Sequence, residues 1–270
     1  MKSISVFVSA FFAVITLSAQ HPSHKATEMK QFTVKEAKQG VAVDRHHFYV
    51  INSSTITKHD KESGELITLW DGSAAGVKHL NSGVVIKGKL YCATSNYPDS
   101  PMAGSIEIFD ARTLEHIGCH SFGILRGSAT WIDKYKGSWY VGFAHYSGNG
   151  SSEGKDTRWT TVARFDRKWR ETGSWIFPEN IIKLFTPMSN SGATWGRDGR
   201  LYCTGHDEPE IYVMEIPGTG YTLSHVETIT TPVHGQGIAI DRTVNKKLIM
   251  YGIRRDKNLV IAFEIKQEHD

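Results

Sequence analysis

Four histidines, His79, His145, His206 and His234, lie in short polar stretches next to apolar runs. Imidazole changes charge near neutral pH, so a group of them can move protons, and in the neutral form they can hold a divalent transition metal. Near them in sequence lie Arg126 and Arg254, suited to a carboxylate, and Tyr97 and Tyr146, able to exchange a proton or to stack on a sugar ring. Amides fill comparable stretches at Gln39, Asn81, Asn96, Asn190 and Gln236. Residues this far apart act together only if the fold gathers them.

The element that would gather them is legible in residues 78–97. Polar residues lead into a short apolar strand, a turn at Lys87-Gly88-Lys89, a second strand with Leu90-Tyr91-Cys92, and polar residues again. Residues 189–207 repeat this order, with Asn190-Ser191-Gly192 and Leu201-Tyr202-Cys203. Further hairpins of the same kind begin at Gln39, Gly127 and Gly235, and a second alternating hairpin follows the first three units. Four short strands recurring every 40 to 50 residues or so predict a propeller blade. The chain therefore reads as an all-β, five-bladed β-propeller spanning residues 31–270, with a short helix over 178–185 between blades three and four. The fifth unit lacks an outer strand, and residues 31–34 are expected to supply it, closing the ring with the N-terminus.

In an antiparallel hairpin the start of one strand lies beside the end of the next, so the polar stretches meet on one face. Two chemistries follow. In the first, His145 and His206 act as acid and base with Tyr146, while Arg126 or Arg254 binds a substrate carboxylate, as elimination from a uronic acid requires. Gln39, Asn81, Asn96, Tyr97, Asn190, Gln236 and Arg254 then bind the substrate. In the second, His79, His145, His206 and His234 hold a divalent metal ion as cofactor. The inner-strand serines and amides could instead satisfy backbone groups around the axis. A glycoside hydrolase needs a close pair of carboxyls, whereas Asp99, Asp207, Glu208 and Glu210 belong to outer loops. A non-catalytic propeller that binds a glycan or protein on the same face is the rival from a different class. Residues 147–156, rich in glycine and serine, read as a flap over that face.

Composition sets the outer limits. With 270 residues, 40% of them hydrophobic, the chain can bury a core without disulfides. Lys2 and the apolar run from Ile4 to Leu17, ending at Ser18-Ala19, predict a cleavable signal peptide over residues 1–19 and a secreted or periplasmic protein. Residues 20–30 are expected to be flexible. The formal net charge of +3 is spread among interspersed acids, so no nucleic-acid partner is expected. No membrane insertion is expected after cleavage, and the partner expected is a carbohydrate or other small molecule bound by a monomer. Cys92 and Cys203 occupy equivalent strand positions in different units, too far apart to bridge, and are expected to be free thiols.

Gln39-Gly40-Val41-Ala42, residues 79–83, Ser189-Asn190-Ser191-Gly192 and residues 201–207 together resemble a group of secreted bacterial propeller proteins, some labelled cycloisomerase-like. The resemblance spans the mature chain and implies the propeller fold and export. It carries over no catalytic motif.

Overall fold

The structure, a computed structural model, describes residues 24–266. The expected signal peptide lies outside them. Five antiparallel sheets make a five-bladed propeller. Blade one comprises Gly40–Val43, His47–Asn52, Thr55–Asp60 and Leu66–Asp71, and blade two His79–Ile86, Lys89–Ser95, Gly104–Asp110 and His116–Gly123. Blade three comprises Ser128–Tyr135, Ser138–Ala144, Thr161–Phe165 and Glu171–Ile176, and blade four Gly192–Trp195, Leu201–Thr204, Glu210–Glu215 and Ser224–Thr230. Blade five is built from Ala239–Ile240, Leu248–Arg254, Leu259–Ile265 and Thr27–Thr33.

Each blade packs both faces against its neighbours, which explains why the second strands are apolar throughout. Phe48, Tyr49, Val50 and Ile51 are all fully buried, some facing blade five and others blade two. The outer strands are not covered in this way: no residue of Leu66–Asp71 is fully buried, and Leu66, Ile67 and Leu69 are exposed. Helix Glu179–Phe185 falls where its spacing predicts and sinks Ile181, Ile182 and Phe185 into the core between blades three and four. In the outer hairpins, Asp60, Asp110 and Asp166 accept hydrogen bonds from backbone N–H groups two to four residues further on. This is the local bonding that makes aspartate a turn residue.

The N-terminal segment differs in extent from the reading above. Thr27–Thr33 runs antiparallel to Leu259–Ile265, and His24–Lys25 pairs in parallel with the outer strand of blade four. Residues 24–30, expected to be flexible, are therefore held in sheet. The strand is mostly exposed and polar, so it lacks the apolar pattern that marks the others. Backbone pairing holds it, helped by Phe32 against Phe48 at 4.8 Å and by buried Ala26.

Around the axis the inner strands are stitched from blade to blade. Leu80 N–H donates to Ser53 O at 2.7 Å, Asn81 Nδ2 to Ala129 O at 2.9 Å, and Thr130 Oγ1 to Asn190 O at 2.9 Å. Thr204 Oγ1 donates to Gln236 O, and Gly237 N–H reaches Gln39 O at 2.9 Å. Every blade junction thus carries at least one such bond.

Candidate functional site

Strand register brings the polar stretches together. Gly40 pairs with Ile51, His79 with Ser95, Ser128 with Ala144 and Gly192 with Thr204. The starts of these inner strands and the ends of their neighbours therefore share one end of the propeller, called the mouth here.

His79 is the imidazole best placed to react. It is half-buried, with Nδ1 3.5 Å from Ser53 Oγ and its ring 5.3 Å from that of Tyr97, and its Nε2 has no hydrogen-bond partner among the described residues. Burial lowers its pKa and the nearby charge of His206 lowers it further, so it stands neutral at pH 7. Tyr97 packs edge-on to Tyr146, with ring centres 5.1 Å apart. Burial pushes the Tyr146 hydroxyl up to about 12, so it remains protonated.

The 147–156 loop reaches this group. Asn149 Nδ2 donates to the Tyr97 hydroxyl at 3.3 Å. Gly150 has φ near 77°, and a Cβ there would come 2.5 Å from Tyr97 Cε2, so only glycine lets the loop tip lie on that ring. The loop roots are pinned where Ser147 N–H meets Pro187 O at 2.9 Å and Thr157 Oγ1 meets Met188 O at 2.9 Å.

Across the mouth, His206 Nδ1 lies 2.7 Å from Asp207 Oδ2, and the Arg255 guanidinium sits 3.2 and 3.3 Å from the two ring nitrogens. Arg255 is also ion-paired with Asp207. The three groups hold one another, so His206 has no free nitrogen for proton transfer. Arg254 keeps a buried Nε without a hydrogen bond, with Asp256 Oδ1 3.4 Å away.

The remaining expected site residues serve the scaffold. His145 is buried, with Nε2 donating to Arg126 O at 3.1 Å, and burial lowers its pKa. The Arg126 guanidinium is ion-paired with Glu171. Asn190 is fully buried, donating to Gly192 O at 3.0 Å and Thr204 O at 2.9 Å while accepting from Trp131 Nε1. Gln236 adopts a left-handed φ of 62° and donates to His206 O at 3.1 Å. Asn96 shapes its own loop, bonding Pro101 O at 3.0 Å and Ala103 N–H at 2.7 Å, and Gln39 and Asn81 belong to the axial stitching. His234 is half-buried and anchored through its backbone N–H to Ile253 O at 3.2 Å.

The four histidines share a face but not a centre. Among the described residues no three His, Cys, Asp or Glu side chains are placed to hold a metal ion. The reason is local, because His145 turns into a backbone carbonyl and His206 into Asp207 and Arg255. The loop acids are likewise engaged one by one: Asp99 pairs with Lys78, Asp207 with Arg255, and Glu210 accepts from Tyr212 at 2.9 Å. Cys92 and Cys203 are buried free thiols, and Cys119 is free and exposed.

Ser53 is a member of this site that the sequence reading does not single out, and Asn149 enters it only as part of the loop over the mouth. The signal for Ser53 is position, since it follows directly from the end of the second strand of blade one.

No protein-family model and no curated protein sequence matches the chain. Solved structures match it by shape. A glutaminyl cyclase from Myxococcus xanthus superposes with a TM-score of 0.60 at 10% identity, over 91% of this chain and 100% of that one. A PQQ-bound aldose sugar dehydrogenase from Streptomyces coelicolor gives 0.54 at 15% identity, over 92% and 83% of the two chains. The WD40 repeats of RRP9 give 0.51 at 7% identity, over 90% and 99%. At such identities the likeness shows the propeller fold, which serves enzymes and other proteins alike.

Proposed function

We propose that the protein is an exported enzyme that acts on a carboxylate-bearing carbohydrate by acid/base elimination at the mouth. The observation that carries this reading is His79: a half-buried, neutral imidazole with a free Nε2, beside Tyr97 and within reach of the charge of His206, which in turn contacts Arg255. Lys2 and the apolar run from Ile4 to Leu17 support export. A sugar-oxidising enzyme among the structural neighbours is consistent with a carbohydrate ligand.

In the proposed reaction His79 Nε2 takes the proton α to the uronate carboxylate. The electron pair moves into the carboxylate as an enolate-like dianion, opposed by the charges of Arg254 and Arg255. The C–C double bond forms as the bond from the carbon β to the carboxylate to the glycosidic oxygen breaks, and that leaving oxygen receives its proton from Tyr97. Tyr146 positions Tyr97, and the 147–156 loop limits water above it.

Uronate-containing glycans are offered to the purified protein, and the absorbance of an unsaturated uronate product is followed. His79→Ala is expected to lower kcat by about a hundredfold or more. Activity should fall as pH drops through the lowered His79 value, because the protonated ring accepts no proton, and should hold at neutral pH. Glycan binding without turnover, or turnover that survives His79→Ala, overturns the proposal; the first result favours a binding propeller.

A further inference from the structure

At the end opposite the mouth, the turns that follow the inner strands surround a cavity of about 220 Å³. It is blind. A Cβ on Gly237 would come 2.7 Å from Ser82 Cβ and 2.9 Å from Gly40 Cα, so the axis is closed between this cavity and the mouth. The floor is apolar, from Val43, Val85, Ile132 and Ile240, and the rim carries Asp44, Arg45, Lys87, Asp133 and Arg242.

The two acids on the rim are already used. Asp133, almost fully buried, accepts from Arg242 Nη2 at 2.6 and 2.8 Å, from Trp195 N–H at 2.7 Å and from Thr194 Oγ1 at 3.1 Å. Asp44 accepts from His46 N–H and His47 N–H at 2.8 Å and from the Tyr49 hydroxyl at 2.7 Å. Burial works to raise the Asp44 carboxyl, yet these bonds hold it below the usual range. Arg45 and Lys87, by contrast, have no anionic partner among the described residues. Lys87 also extends a group of like charges: burial first, then the charges of Arg167 and Lys87, lowers the Lys134 ammonium. Unneutralised cations at the lip of a blind apolar pocket favour a ligand with the opposite charge at one end and an apolar body at the other.

We propose that this cavity is a second binding site, for a small organic anion whose apolar body rests on the floor and whose carboxylate lies between Arg45 and Lys87. The volume is below the roughly 300 to 1,000 Å³ of sites for drug-sized molecules, which restricts the ligand to about the size of one ring.

Benzoate is the probe, with uncharged benzamide as control, in calorimetry at low salt. Benzoate should saturate one site, and benzamide should bind at least about tenfold more weakly. The double variant Arg45→Ala, Lys87→Asn should lose benzoate affinity by about tenfold or more. Asparagine is chosen because residue 87 has φ of 51°, which it tolerates. His79→Ala should leave benzoate binding unchanged, which separates this site from the proposed enzyme reaction. In the intact protein, benzoate should shift the amide resonances of Thr194 and Ile240 and leave those of His79 and Tyr97 in place. Absence of saturation, equal binding of benzamide, retained affinity in a folded double variant, or shifts confined to the mouth each overturns the proposal.

Discussion

Asn190 uses every polar atom it has. Its two amide hydrogens go to Gly192 O and Thr204 O, and its oxygen accepts from Trp131 Nε1, all with the side chain out of water. An amide so committed has nothing left for a substrate, whereas His79 at the same end of blade two keeps a nitrogen open. Residue type cannot separate the two, because an asparagine that binds sugar and one that binds backbone have the same chemistry. Replacing Asn190 by Ala strands the Trp131 indole, while Gly192 O keeps its bond from Thr204 Oγ1 and Thr204 O its bond from Ser191 N–H. The change should cost about 2 kcal/mol in urea unfolding. A loss under about 1 kcal/mol would show that water repairs the site and that Asn190 is not the staple described.

At the scale of elements, the alternation of residues 31 to 265 made the blades legible, because a propeller repeats one four-stranded unit and each copy reinforces the others. The antiparallel hairpin then places His79, Tyr97, Tyr146 and His206 on one face from sequence alone, as the observed register bears out. Side-chain direction was not legible. That the His145 ring turns into Arg126 O depends on the path of a connecting loop, which the strand pattern does not encode. The N-terminal strand was half legible for a related reason: its hold on Leu259–Ile265 is backbone pairing plus Phe32, which leaves little apolar signature. Removing residues 24–33 exposes the edge of blade five and uncovers Phe48 and Val260 in the junction with blade one. The truncated protein should melt on the order of 10 °C lower. An unchanged melting curve would mean that the ring holds without this strand.

At the scale of the whole molecule, the propeller has a polar mouth at one end and a cavity at the other, with a plug between them. The plug is the ring of bonds at the blade junctions, and it forms only because Gly40, Ser82 and Gly237 allow the inner strands to approach. Gly237 tests this directly. A methyl group there meets Ser82 at 2.7 Å and Gly40 at 2.9 Å, and both belong to strands locked by their own blades, so the added volume has nowhere to go. Gly237→Ala should therefore cost about 1 to 3 kcal/mol in urea unfolding. Gly218→Ala, where the new methyl meets nothing within 4 Å, should leave stability unchanged. If the two variants unfold alike, the axis has slack and the two ends of the propeller are less separate than the bonding around Gly237 requires.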